Sequence, residues 1–120
     1  MNGYRVLVVE DDPASRHALR RLFAHRGWLV SLAESVTEGM AKLDPPPHCI
    51  LLDLTLPDGD GEEILRKVRE ENLPSKVAVC TGTEDPVRLA LVKGMEPEAL
   101  FRKPIDLDEV CRSCEEDTIG

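Results

Sequence analysis

Short apolar runs alternate with longer amphipathic ones along the whole chain. Arg5–Val9 is rich in β-branched residues and shows no in–out alternation, the mark of a strand buried on both faces. Asp12-Pro13 opens a helix, with Asp12 as N-cap and Pro13 at its first position. Its Ala14, Ala18, Leu19, Leu22 and Phe23 fall on one face, its Arg16, Arg20 and Arg21 face water, and Gly27 stops it. Leu29–Ala33 predicts a second strand and 36–43 a short helix. The run 49–53 predicts a third strand with no polar residue before its last position. A Pro/Gly-rich loop leads into a helix over 62–71 that turns Ile64, Leu65 and Val68 inward. A fourth strand over 76–80, a helix over 86–93 capped by Asp85, a fifth strand at Ala99–Arg102 and a last helix from Leu107, capped by Asp106, complete the pattern. Five short strands interleaved with five helices predict an α/β fold, a doubly wound parallel sheet with helices on both faces. The most apolar strands, the first, third and fourth, belong at its centre. Any site then lies outside the carboxyl ends of the strands.

With 120 residues the chain fits one domain, 1–120. Its net charge of −8, from 15 basic and 23 acidic side chains, argues against a nucleic-acid grip. The longest apolar runs are four residues, against the about 20 that span a membrane. Glu10 and its acidic neighbours interrupt any signal-peptide core. These features predict an acidic, soluble, cytoplasmic domain. Pro45-Pro46-Pro47 reads as a rigid turn rather than a linker. Cys49 and Cys80 sit in aliphatic runs as small buried hydrophobes. Cys111 and Cys114 form a C-x-x-C pair, but no second pair stands at zinc-finger spacing and the pair lies late in a helix. They read as one face of the last helix.

The residues that follow each strand carry the chemistry. The first strand runs into Glu10-Asp11-Asp12, the third ends in Asp53, the fourth is followed by Thr81, and the fifth by Lys103-Pro104. All belong to one edge of the sheet. Clustered carboxylates repel, so they call for a compensating cation, and a small set of oxygen ligands suits Mg²⁺. A cation, a lysine and a hydroxyl aimed at one carboxylate are what a phosphoryl group's oxygens require during transfer. Asp53 thus reads as a nucleophile toward phosphorus, forming an aspartyl-phosphate. Asp12 reads as a helix cap only.

The segments Val8-Val9-Glu10-Asp11-Asp12, Asp53-Leu54-Thr55-Leu56-Pro57-Asp58-Gly59-Asp60-Gly61, Thr81-Gly82 and Lys103-Pro104, in this order and spacing, resemble the receiver domain of two-component response regulators, the CheY-like superfamily, over essentially the whole chain. The resemblance implies a flavodoxin-like sheet of order 2-1-3-4-5, an order for which a receiver protein is itself a standard example. It implies Asp53 as phosphoacceptor from the phosphohistidine of a histidine kinase or phosphotransfer protein. Mg²⁺ would be held by Asp11 directly, Glu10 through water, Asp53 and the backbone carbonyl of Thr55. Thr81 would supply the hydroxyl that moves toward the phosphate and Lys103 the lysine that pairs with it, and the peptide before Pro104 is expected to be cis. The domain would then control an output domain or partner as a signalling module rather than a metabolic enzyme, catalysing its own phosphotransfer and slow dephosphorylation. Thr55 and Thr83 are expected to tune the access of the hydrolytic water.

One departure stands out. The position three before the lysine, aromatic in most receivers, is Leu100, and Phe101 follows it on the opposite strand face, toward the core. On the fourth helix Val87, Ala90 and Leu91 are assigned to the core. Leu89 and Val92, with Leu100, are assigned to an apolar patch on the fourth helix–fifth strand–fifth helix face, a surface for dimerisation or partner docking. Three other readings compete. A phosphorylation-independent receiver-like interaction domain would lack the acceptor, the acidic pair or the lysine, all present here. A haloacid-dehalogenase-like phosphatase needs Asp two places after its nucleophile, where this chain has Thr55. An EF-hand loop with Gly61 sixth would put Leu56 first and Lys67 twelfth, where carboxylates are required.

Overall fold

The structure is a computed structural model that describes residues 3–118. The elements follow as β1 (Arg5–Val9), α1 (Pro13–His25), β2 (Leu29–Ala33), α2 (Val36–Ala41), β3 (Cys49–Leu52), β4 (Thr55–Leu56), β5 (Gly59–Asp60), α3 (Glu62–Glu70), β6 (Lys76–Thr81), α4 (Pro86–Gly94), β7 (Ala99–Arg102) and α5 (Leu107–Thr118). Five strands form one parallel sheet of order β2-β1-β3-β6-β7. Counting only these strands, that is the 2-1-3-4-5 order, with β1, β3 and β6 central as their apolar runs predict. The remaining two, β4 and β5, pair antiparallel as a small ribbon inside the loop after β3, where the sequence indicated only a Pro/Gly-rich connection.

The lack of alternation in the central strands has a direct cause. Leu7, Val9, Ile50, Leu52, Val77 and Val79 point to one face and pack with Ile64, Leu65 and Val68 of α3 and Val92 of α4. Val6, Val8, Leu51, Ala78 and Cys80 point to the other face and pack with Leu19 and Phe23 of α1 and Val110, Cys111 and Cys114 of α5. Both faces are dry, so every position must be apolar. The C-x-x-C pair is therefore core. Burial pushes the Cys111 thiol up to about 12, which leaves it protonated and unreactive.

Helix boundaries follow local chemistry. The Asp12 side chain accepts from Ser15 N at 3.0 Å, Asp85 from Val87 N at 3.0 Å, and Asp106 from Glu109 N at 3.2 Å. The expected caps are thus in place, and α1 ends at His25, with Arg26 as C-cap and Gly27 beyond it at φ +87°. The α2 N-terminus is satisfied both locally, where Ser35 Oγ accepts from Glu38 N at 3.1 Å, and from far away, where Asp58 accepts from Val36 N at 2.7 Å and Thr37 N at 3.0 Å.

Two assignments need correction. In α4 the inward and outward faces are exchanged: Leu89 and Val92 are buried, whereas Val87 and Leu91 are 68% and 62% exposed and Ala90 also faces out. Two apolar stripes fit the helical period, and the one carrying Arg88, Leu89, Val92 and Met95 faces inward because Arg88 binds buried Glu62 on that side. In α1 Arg16 is buried rather than solvated, and Ala14 is exposed. Arg16 reaches back over the turn after β1 to the carbonyls of Glu10 and Asp11. Leu100 and Phe101 do lie on opposite sheet faces, packing against the first and second core clusters respectively.

Candidate functional site

Register sets the site. Val9 pairs with Leu52, Leu52 with Val79, and Thr81 with Arg102, so the residues that follow these strands emerge together along one edge. Glu10 and Asp53 leave adjacent strand ends. Glu10, Asp11 and Asp53 each place a carboxylate oxygen within 4.8 Å of the others, with Asp11 exposed and the other two buried. The Lys103 ammonium lies between the two buried ones, 2.8 Å from Glu10 Oε1 and 3.2 Å from Asp53 Oδ2. The Lys103–Pro104 peptide is cis, as expected.

Electrostatics match this crowding. Burial, reinforced by the neighbouring Asp53, raises the Glu10 pKa above its ordinary value although Lys103 pulls it down. For Lys103 burial opposes the charge, but its bonds to Glu10 and the Asp53 carboxylate outweigh this and raise its pKa. Thr81 is fully buried, and its Oγ1 accepts from Thr83 N at 3.0 Å, a bond that leaves the hydroxyl's own proton uncommitted. A Cβ on Gly82 would meet nothing closer than Lys103 Cδ at 3.8 Å, so this side of the lysine is open. A cleft of about 360 Å³ adjoins, lined by Ala14, Ser15, Ala18, Ile105 and Leu107 beside Glu10 and Lys103.

The loops carrying these groups are braced by residues the sequence did not single out. Arg16 Nη1 donates to the carbonyls of Glu10 at 3.1 Å and Asp11 at 3.3 Å, while Nη2 lies 2.8 Å from Glu34 Oε1. It satisfies the carbonyls that the strand leaves unpaired at its end, which explains its burial. Behind Asp53, Asp53 Oδ1 accepts from Thr55 N at 3.3 Å, Gly61 N donates to Leu54 O at 2.8 Å, and Arg88 donates to Leu54 O and, at 3.2 Å, to Thr55 Oγ1. No local sequence signal marks Arg16 or Arg88, because their partners lie on other elements.

The donor set fits a hard divalent ion: three carboxylates from two loops, all oxygen, one open to solvent. A doubly wound parallel sheet with a carboxylate cluster and a lysine at its carboxyl edge is the arrangement that the receiver resemblance implies. The chain matches the model of the response regulator receiver domain over residues 6–115, and it belongs to that family, the receiver modules of two-component signalling. It is 33% identical over 107 residues to the transcriptional regulatory protein TrcR of Mycobacterium tuberculosis, covering 88% of this chain and 42% of that protein. It is also 33% identical over 107 residues to the acid tolerance regulatory protein ActR of Rhizobium meliloti, covering 88% and 55%. The chain thus spans about half the length of these curated relatives. Among solved structures it resembles a CheY-like response regulator receiver domain protein from Methanospirillum hungatei, with TM-score 0.90, 24% identity, and 98% and 94% coverage of the two chains. It also resembles a response regulator protein from Burkholderia pseudomallei with a phosphorylated aspartic acid, calcium ion and citrate, with TM-score 0.83, 17% identity, and 96% and 68% coverage. At these identities the two structures establish the fold.

Proposed function

We propose that the chain accepts a phosphoryl group on Asp53 from the phosphohistidine of a histidine kinase or phosphotransfer protein, and that this switches its conformation to control an output domain or partner. The observation that carries this reading is the Lys103 ammonium held between Glu10 and Asp53, within a set of three carboxylates that converge from separate loops. An Asp53 carboxylate oxygen attacks phosphorus. The new P–O bond forms as the P–N bond to the donor imidazole breaks, and the electron pair leaves on the ring nitrogen. Glu10, Asp11, Asp53 and the Thr55 carbonyl would hold Mg²⁺, which when bound neutralises charge on the carboxylates and the phosphoryl oxygens. Lys103, kept protonated by its carboxylate partners, stays available to the phosphoryl oxygens, and Thr81 offers its hydroxyl proton to them. Attack by water on phosphorus then breaks the P–O bond and restores Asp53. Such a domain acts as a cytoplasmic signalling module that catalyses its own phosphotransfer. The Burkholderia relative, with its phosphorylated aspartate and calcium ion, supports the same chemistry.

The phosphoryl group brings roughly −1.5 to −2 charges at neutral pH. It shifts the fold by contacting Thr81 and Lys103 more favourably in one conformation than in another. The face of α4, β7 and α5 is the proposed docking surface, with Val87 and Leu91 as its exposed apolar residues in place of Leu89 and Val92. Incubation with acetyl phosphate and Mg²⁺ is expected to add the mass of one phosphoryl group, removable by hydroxylamine and lost with chelator or in Asp53→Asn. A wild-type mass that does not change would overturn the reading and favour a phosphorylation-independent interaction domain.

A further inference from the structure

We propose that Arg88 is a positioning residue for the cation-binding half of this site, holding the Leu54–Thr55 segment while Glu62 orients its guanidinium. This rests on the reading of the site given above. Arg88 belongs to α4, yet its side chain turns across to the loop behind Asp53. Nε lies 2.6 Å from Glu62 Oε2 and Nη2 2.9 Å from Glu62 Oε1, a two-pronged pairing with a carboxylate that is itself buried. Nη2 is shared with Leu54 O and, at 3.3 Å, with Asp60 Oδ1, and Nη1 donates to Thr55 Oγ1 at 3.2 Å. One side chain therefore fixes both residues that follow the phosphoacceptor and the ribbon strand that pairs with Thr55. The Thr55 carbonyl is the one backbone ligand assigned to the cation, and the peptide just before it is held on both sides, by Arg88 on Leu54 O and by Asp53 Oδ1 on Thr55 N, while Arg88 also holds the Thr55 hydroxyl.

Groups that orient metal ligands without touching the metal commonly control affinity by 10-fold or more, because a ligand free to move must be ordered on binding. The sign of the effect separates positioning from charge. Removing a positive charge near a cation site strengthens cation binding if charge alone matters. It weakens binding if the guanidinium's geometry matters. Lysine keeps the charge but lacks the planar fork.

The test is calorimetric titration of unphosphorylated protein with Mg²⁺, alongside thermal unfolding of each variant. Arg88→Gln and Arg88→Lys are both expected to weaken Mg²⁺ binding about 10-fold. Arg69→Gln serves as the comparison. Arg69 likewise binds the backbone carbonyls of Met95 and Glu96 and the Glu98 carboxylate, but at the opposite end of the sheet, and its affinity should match wild type. Tighter or unchanged binding in Arg88→Gln, with unchanged binding in Arg88→Lys, would overturn the proposal. If Arg88→Gln does not fold, Arg88→Lys decides alone, since it retains a cation against Glu62. Wild-type protein that binds no Mg²⁺ would instead overturn the reading of the site itself, a result distinct from variants that bind as wild type does.

Discussion

Gly61 stands where the chain after Asp53 folds back on itself. A Cβ at this position would lie 2.0 Å from the Asp53 carbonyl oxygen and 3.0 Å from Leu54 Cα, both backbone atoms that cannot step aside. The second glycine of Asp58-Gly59-Asp60-Gly61 therefore serves close approach, and the loop's two aspartates serve other ends. Asp58 closes the start of α2 and Asp60 meets Arg88. Gly61→Ala is expected to cost about 1–3 kcal/mol by overpacking, measured by denaturant unfolding. At Gly94 a Cβ would meet nothing within 4 Å, and Gly94→Ala should leave stability unchanged or raise it by up to about 1 kcal/mol. Equal effects at the two glycines would refute this account of the loop.

Among elements, α4 is the one whose orientation matters most, because it carries both the Arg88 contact to the site and the exposed part of the proposed docking face. Leu89 is nearly buried while Leu91, two positions on, is 62% exposed. Leu89→Ala should therefore cost about 2 kcal/mol or somewhat more. Leu91→Asp should change stability by no more than about 0.5 kcal/mol, yet alter phosphorylation-dependent association in sedimentation experiments. The same sedimentation behaviour in Leu91→Asp and wild type would remove Leu91 from the docking face. Loss of stability at Leu91 but not Leu89 would restore the opposite helix orientation.

On the scale of the whole molecule, the acidic edge is a local cost that the proposed cation would relieve. Glu10 is buried with a raised pKa, so between its ordinary value of 4.5 and that raised value the folded chain holds more protons than the unfolded one. Stability consequently falls as pH rises through this window. Glu10→Gln should flatten that part of the stability–pH profile and raise Tm at neutral pH in the absence of divalent ions. Mg²⁺ should raise the wild-type Tm, with about 1.4 kcal/mol expected at roughly tenfold excess over Kd. An unchanged Tm in both experiments would show that the carboxylates are neither strained nor shared by an ion.

The linear pattern reached a long way into this molecule. Strand positions, three helix caps and the placement of Glu10, Asp53, Thr81 and Lys103 at strand ends are local properties. They depend on side-chain size, polarity and turn chemistry within a few residues, so Arg5–Val9 or Asp12-Pro13 announces itself. The parallel order follows because strands without alternation must be covered on both faces. The two arginines and the facing of α4 were not legible in the same way. Arg16 read as a solvated helix residue because the carbonyls it satisfies belong to the turn before its helix. In α4 the Val87–Leu91 and Leu89–Val92 stripes are equally apolar, and hydrophobicity alone gives no preference between them. Only the folded arrangement, which sets the buried Glu62 carboxylate of α3 against one side of α4, breaks the tie, since a buried charge must find its partner. The sequence alone determined the five sheet strands, the five helices and the chemistry at their ends; the tertiary structure decided the ribbon after β3 and which distant side chains hold those ends in place, because that choice depends on which groups are buried opposite one another.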